Sequence, residues 1–280
     1  HRLGEADRNN LLLFNPNANL VASPIAVIAL IIAHIPMGML PHIGNKLWAL
    51  KTSTSRRRFV WLAFLFAMLL PAVTLGGLLA RVQLGETLLN GGANQAIPAL
   101  FTAVLPVPLA AFLCIAILCA VMSTADGLIV SSAQVFSNDL YRRTFAPRWS
   151  PQLSAEALDQ RVLMVSRFST MFVLLVSALI AWSLMGVNIA LLVWMGIGGM
   201  TSALSGPLLL GSLWSKVSER GAYAGMLSGF CVFAVLHSEI IKLDLLENLG
   251  PNPFACAATA SIVGVLVTFI GSILFEDHLL

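Results

Sequence analysis

Between Leu105 and Val130 the chain runs for 26 residues with a single charged side chain, Asp126. About 20 apolar residues in an α-helix already cover the roughly 30 Å hydrocarbon core of a bilayer. A stretch of this kind leaves little choice of environment, and the chain carries several. Spans are expected at 20–40, 59–82, 104–137, 162–184, 189–214, 222–241 and 255–275. Composition agrees: 58% of residues are hydrophobic and 10% charged, with a mean hydropathy of +0.87, where soluble domains carry about 25% charge. The fold class expected is an all-α integral membrane protein of about seven transmembrane helices.

An odd number of spans puts the two ends on opposite sides. The connection 41–58 holds Lys46, Lys51, Arg56, Arg57 and Arg58, the connection 138–161 holds Arg142, Arg143, Arg148 and Arg161, and 215–221 holds Lys216 and Arg220. The opposite side has Arg2, Arg8, Arg81 and Lys242, while Arg167 sits just inside a span. Positive charge accumulates on the cytoplasmic side. The three basic connections are therefore expected inside, with residues 1–19 as an extracellular or periplasmic segment and 276–280 as a cytoplasmic tail. The run Arg56–Arg58 abuts a span, which makes it a topology signal rather than a nucleic-acid patch. Cys114, Cys119, Cys231 and Cys256 lie in apolar stretches without CxxC spacing and read as small hydrophobes. The chain opens on His1 with no signal-peptide pattern, as a piece of something longer would.

Helix breakers are unevenly spread. Span 20–40 contains Pro24, Pro36 and Gly38, with Pro41 just beyond, and span 189–214 contains Gly196, Gly198, Gly199, Gly206, Pro207 and Gly211. An interrupted helix at membrane depth is tolerated where its freed backbone groups are buried in protein or line a cavity, and transporters hold ions and substrates at such breaks. Close packing through small residues is the competing explanation.

The stretch "CAVMSTADGLIVSSAQVFSND", 119–139, is unusually polar for a span. On a helical wheel Ala120, Ser123, Thr124, Gly127, Ser131, Gln134 and Asn138 share one stripe about 100° wide, with Asp126 off its edge and Ser132 well outside it. Helix packing would explain such a stripe. So would a cation site, because the Ser123 and Thr124 hydroxyls and the Ala120 carbonyl one turn earlier are the uncharged oxygens a hard cation requires. Asp126 adds weight to the second explanation, since an acidic residue in a span is costly and marks an ion or proton pathway.

"AVMSTADGLIVSSAQVFSNDLYRR" resembles the eighth core helix of the sodium/solute symporter family, which includes the sodium/proline and sodium/pantothenate permeases. "GMLPHIGNKLWALK" resembles the end of that family's core helix six, "GPLLLGSLWSK" its core helix ten and "RGAYAGMLSG" the start of helix eleven, in the family's order. The resemblance covers residues 20–275. It implies a five-plus-five inverted-repeat transporter fold, of which this chain is the C-terminal half. It implies sodium bound by Ala120 (through its carbonyl), Ser123 and Thr124, with Asp126 at a possible second cation or proton position. It also implies a small organic solute approached by His34 and Trp194. For these two, an interior histidine and an interfacial tryptophan anchor are the ordinary alternatives.

The family is about twice as long, and its sodium site also takes backbone carbonyls from a broken first core helix. Half the ion site is therefore expected here, the rest coming from an N-terminal half. The function implied is sodium-coupled uptake of a small organic solute across a plasma membrane, a bacterial inner membrane, with "SLW" leaning toward the pantothenate branch. A symporter-like sensor domain of a signalling protein and a non-transporting remnant are the alternatives. No catalytic residue, metal beyond sodium, or nucleic-acid partner is expected, because there is no nucleophile with a partnered base, no phosphate loop and no metal-ligand cluster.

Overall fold

The computed structural model describes residues 23–85, 93–185, 187–238 and 252–275, which are helical almost throughout. The expected segment 1–19, the tail 276–280, the first residues of span 20–40, the end of span 222–241 and Lys242 lie outside the described residues. The chain divides into two compact units, one formed by His1–Arg56 with Asn188–Leu280 and the other by Arg57–Val187.

In the first unit, helix α1 (Pro24–His34) starts where the Ser23 hydroxyl accepts the Ala26 N–H at 3.2 Å and Pro24 takes a position needing no donor. It tightens at Pro36 into a 3₁₀ segment, Ile35–Met39. Leu40 is then extended (φ −59°, ψ 137°), the backbone that a following proline favours, and α2 (Pro41–Trp48) restarts at Pro41. The expected span 20–40 is thus interrupted where its prolines predict.

Span 59–82 departs from expectation. It forms two helices, α3 (Ser53–Ala67) and α4 (Leu70–Leu84), of 15 residues each. The cause is Pro71, which has no N–H for the Ala67 carbonyl and crowds it. At about 1.5 Å per residue each helix is roughly 22 Å long, short of the hydrocarbon thickness. Gly85 ends α4 at φ +57°, a left-handed position natural to glycine, and Arg81 donates to its carbonyl at 2.7 Å.

In the second unit α5 (Ala96–Val104) gives way at Pro106 to α6 (Val107–Gln134), which continues through a π-helical segment, Val135–Phe145, and a last turn, Ala146–Trp149. Together they make one rod of 43 residues. The Ser154 hydroxyl then caps α7 (Ala155–Ser183), which packs on α6 and the π segment. The chain then returns to the first unit, where Asn188 caps α8 (Ile189–Leu204), extended by a second π segment, Ser205–Leu210, and a turn, Gly211–Leu213. Helices α9 (Glu219–His237) and α10 (Pro253–Leu274) follow, capped by Ser218 and Asn252. Where seven spans were expected, four helices among the described residues are long and apolar enough to cross a bilayer: Val107–Trp149, Ala155–Ser183, Ile189–Leu213 and Pro253–Leu274.

The best-packed part of the first unit is α10 against α8, α9 and α1. Gly221, Gly225 and Gly229 fall at four-residue spacing on one face of α9. A Cβ at Gly225 would collide with Oγ1 of Thr268 and the Gly264 carbonyl, and one at Gly229 with the Ser202 carbonyl. Gly206 meets Thr268 and Gly264 in the same way, while Gly198 and Gly199 lie against the Phe233 ring. Hydroxyls tie the seam together: Ser202 donates to the Ala257 carbonyl at 3.4 Å, and Ser205 to that of Ser261 at 3.2 Å. Close packing therefore accounts for Gly198, Gly199 and Gly206 in span 189–214. Gly196 and Gly211 have open space around them.

Candidate functional site

Ala120, Ser123, Thr124 and Asp126 lie on α6, in the second unit, and all four are exposed. The Thr124 hydroxyl lies 3.4 Å from the Ala120 carbonyl, pointing back one turn. Two of the three expected sodium oxygens are therefore neighbours on one side of the helix. Ser123 precedes Thr124 and presents its hydroxyl about 100° around the axis. Asp126 makes no ion pair among the described residues. The helix alone offers a partial oxygen shell, open to whatever completes it.

Lower on the stripe the structure changes the geometry expected from the wheel. From Val135 the backbone widens to π-helical spacing, with the Thr144 hydroxyl reaching the Asp139 carbonyl five residues back at 3.0 Å. A π segment turns through a smaller angle per residue than an α-helix. Asn138 shares a polar recess of about 450 Å³ with Gln134 of the stripe and with Asp139, Arg142 and Arg143. Ser132, off the stripe, donates to the Leu128 carbonyl at 2.9 Å.

His34 and Trp194, the residues singled out for solute, meet in the first unit. Their ring centroids are 4.5 Å apart, and both rings contact Phe254 of α10, at 5.7 and 4.4 Å. The His34 Nδ1 is 2.6 Å from the Leu30 carbonyl. A carbonyl only accepts, so Nδ1 carries the hydrogen, and in the neutral ring Nε2 is left as the acceptor. Both His34 and Trp194 are half-buried, while Phe254 is buried. The cluster sits at the end of α1 just before the 3₁₀ segment, so the Pro36 interruption and the rings share one place in the fold. Phe254 was missed from sequence; its only signal is an aromatic residue directly after the Asn252–Pro253 start of the last helix.

Comparison with known proteins places these features in a family. The sodium:solute symporter family model matches residues 1–229. The sodium/pantothenate symporter of Haemophilus influenzae is 24% identical over 283 aligned residues, covering 100% of this chain and 54% of the relative. Sodium/proline symporter 2 of Staphylococcus saprophyticus is 33% identical over 127 residues, 44% of this chain and 23% of its own. The sodium/mannose cotransporter of Bos taurus is 30% identical over 169 residues, 58% of this chain and 25% of its own. The chain thus spans about half the length of the first of these relatives and less of the others. No solved structure matches it significantly. The family's members are transporters rather than enzymes, and the apolar helices make this a multi-pass membrane protein. With a family match across most of its length, the chain belongs to the sodium:solute symporter family.

Proposed function

We propose that this chain is the C-terminal half of a sodium-coupled symporter for a small organic solute, with residues 20–275 as its transmembrane domain. The reading is carried by one observation within a family of sodium symporters: the Thr124 hydroxyl and the Ala120 carbonyl lie side by side on an exposed face of a membrane-length helix. Ala120, Ser123 and Thr124 supply oxygens to sodium. Neutral oxygens suit an ion that must be released on the far side, because conduction and transport need binding strong enough to enter and weak enough to leave. Asp126 supplies a second cation or proton position. His34, Trp194 and Phe254 form an apolar wall with one acceptor nitrogen, suited to a solute that carries both a hydrocarbon part and a hydrogen-bond donor. Pantothenate is the first solute to try, since the alignment with the Haemophilus sodium/pantothenate symporter runs the length of the chain.

The basic connections face the cytoplasm of a bacterial inner membrane, residues 1–19 lie outside and 276–280 inside. The remaining sodium ligands come from an N-terminal half, because one helix face cannot surround an ion. Residues 1–280 in proteoliposomes should accordingly show no sodium-driven uptake, and joining them to the N-terminal half should restore it. Sodium-dependent accumulation by residues 1–280 alone would overturn the half-site proposal.

A further inference from the structure

Arg167 takes no part in the ion or aromatic sites, yet it stands at membrane depth. Counting about 20 residues back along α7 from Trp182, an exposed aromatic suited to one membrane interface, puts the other hydrocarbon edge near Val162. Arg167 lies about 7.5 Å inside that edge at 1.5 Å per residue. It is exposed and makes no ion pair among the described residues. Gln160, Leu163, Met164, Phe168 and Met171 join it on one face of α7, forming a shallow groove of about 490 Å³. By contrast, the neighbouring connection satisfies two of its arginines internally: Arg142 pairs with Asp159 at 2.9 Å and Arg143 with Asp139 at 3.6 Å.

We infer that this face of α7 is a binding site for an anionic phospholipid, whose phosphate meets Arg167 and whose acyl chain lies along Leu163, Met164, Phe168 and Met171. The groove asks for two things at once, a negative group at shallow depth and hydrocarbon below it, and a phospholipid supplies both in that order. A protein partner would have to bring a carboxylate into the span, which is itself costly to insert. Arg148 and Arg161, exposed at the same end of the unit, add to the positive potential that draws anionic headgroups.

The test uses the intact protein in detergent with phosphatidylglycerol or phosphatidylcholine of identical acyl chains, read by native mass spectrometry. Phosphatidylglycerol should be retained in preference to phosphatidylcholine. Arg167→Gln should reduce that preference about five-fold, while Arg167→Lys and the control Lys51→Gln, on the other unit, keep it, and inorganic phosphate should not compete. A photoactivatable phosphatidylglycerol should also label residues 160–171 of the unaltered protein, a measurement that does not depend on any variant folding. Equal labelling by both lipids, competition by inorganic phosphate, or crosslinking of this face to another protein segment would each overturn the inference.

Discussion

At the scale of single residues, the question is whether the hydroxyls of α6 bind an ion or merely fill a helix surface. Thr124 already touches the Ala120 carbonyl at 3.4 Å, a long contact that an ion between the two oxygens would replace with stronger ones. Removing one ligand oxygen without adding bulk should cost on the order of 1–3 kcal/mol. In the complete protein Ser123→Ala and Thr124→Ala should each move half-maximal sodium to roughly 5-fold to 150-fold higher concentration. Ser132→Ala, whose hydroxyl is occupied by the Leu128 carbonyl, should leave the titration in place. Apparent solute affinity should weaken with the same two variants and recover at high sodium, because coupling between two bound ligands is reciprocal. If uptake across a sodium series is unchanged for both variants, the stripe is a packing surface.

Individual helices show how far pattern carries and where it stops. Proline chemistry was readable: Pro36 and Pro41 interrupt the first apolar run because each lacks a donor and restricts the residue before it. The same chemistry at Pro71 splits span 59–82, where apolar length alone suggests continuity. The π segment after Gln134 is invisible to a wheel with a fixed angle, because its wider backbone turns less per residue. The glycines of α8 and α9 announced close packing without naming partners. Which helix meets which depends on contacts far apart in the chain, such as Gly225 with Thr268. That pair gives a test at this scale. Gly225→Ala forces the Thr268 side chain and the Gly264 carbonyl aside and should destabilise by about 1–3 kcal/mol, as overpacking does. Gly196→Ala, in open space on a helix, should be neutral or stabilising by up to about 1 kcal/mol. Thermal unfolding in detergent compares them; equal midpoints would mean the α9–α10 seam is looser than described.

For the whole molecule, charge distribution and family membership make separate demands. The proposed orientation puts eleven basic residues, in three connections, on the cytoplasmic side and four opposite. In a background lacking Cys114, Cys119, Cys231 and Cys256, a cysteine at Ser55 should be labelled only from the cytoplasm, and one at Asn90, outside the described residues, only from the other side. Labelling of both from one side would overturn the orientation. Family identity was legible because four motifs kept their order, whereas the meeting of His34, Trp194 and Phe254 was not, since it joins residues 160 and 60 positions apart. The central claim is that solute movement is driven by sodium. It is tested most directly by initial uptake of labelled pantothenate, and then of proline, into proteoliposomes carrying the joined protein, with an inward sodium gradient or with sodium equal on both sides. Sodium coupling predicts accumulation above the outside concentration under the gradient, and only equilibration when sodium is equal. Accumulation of the transported solute that is the same with and without the sodium gradient would contradict it.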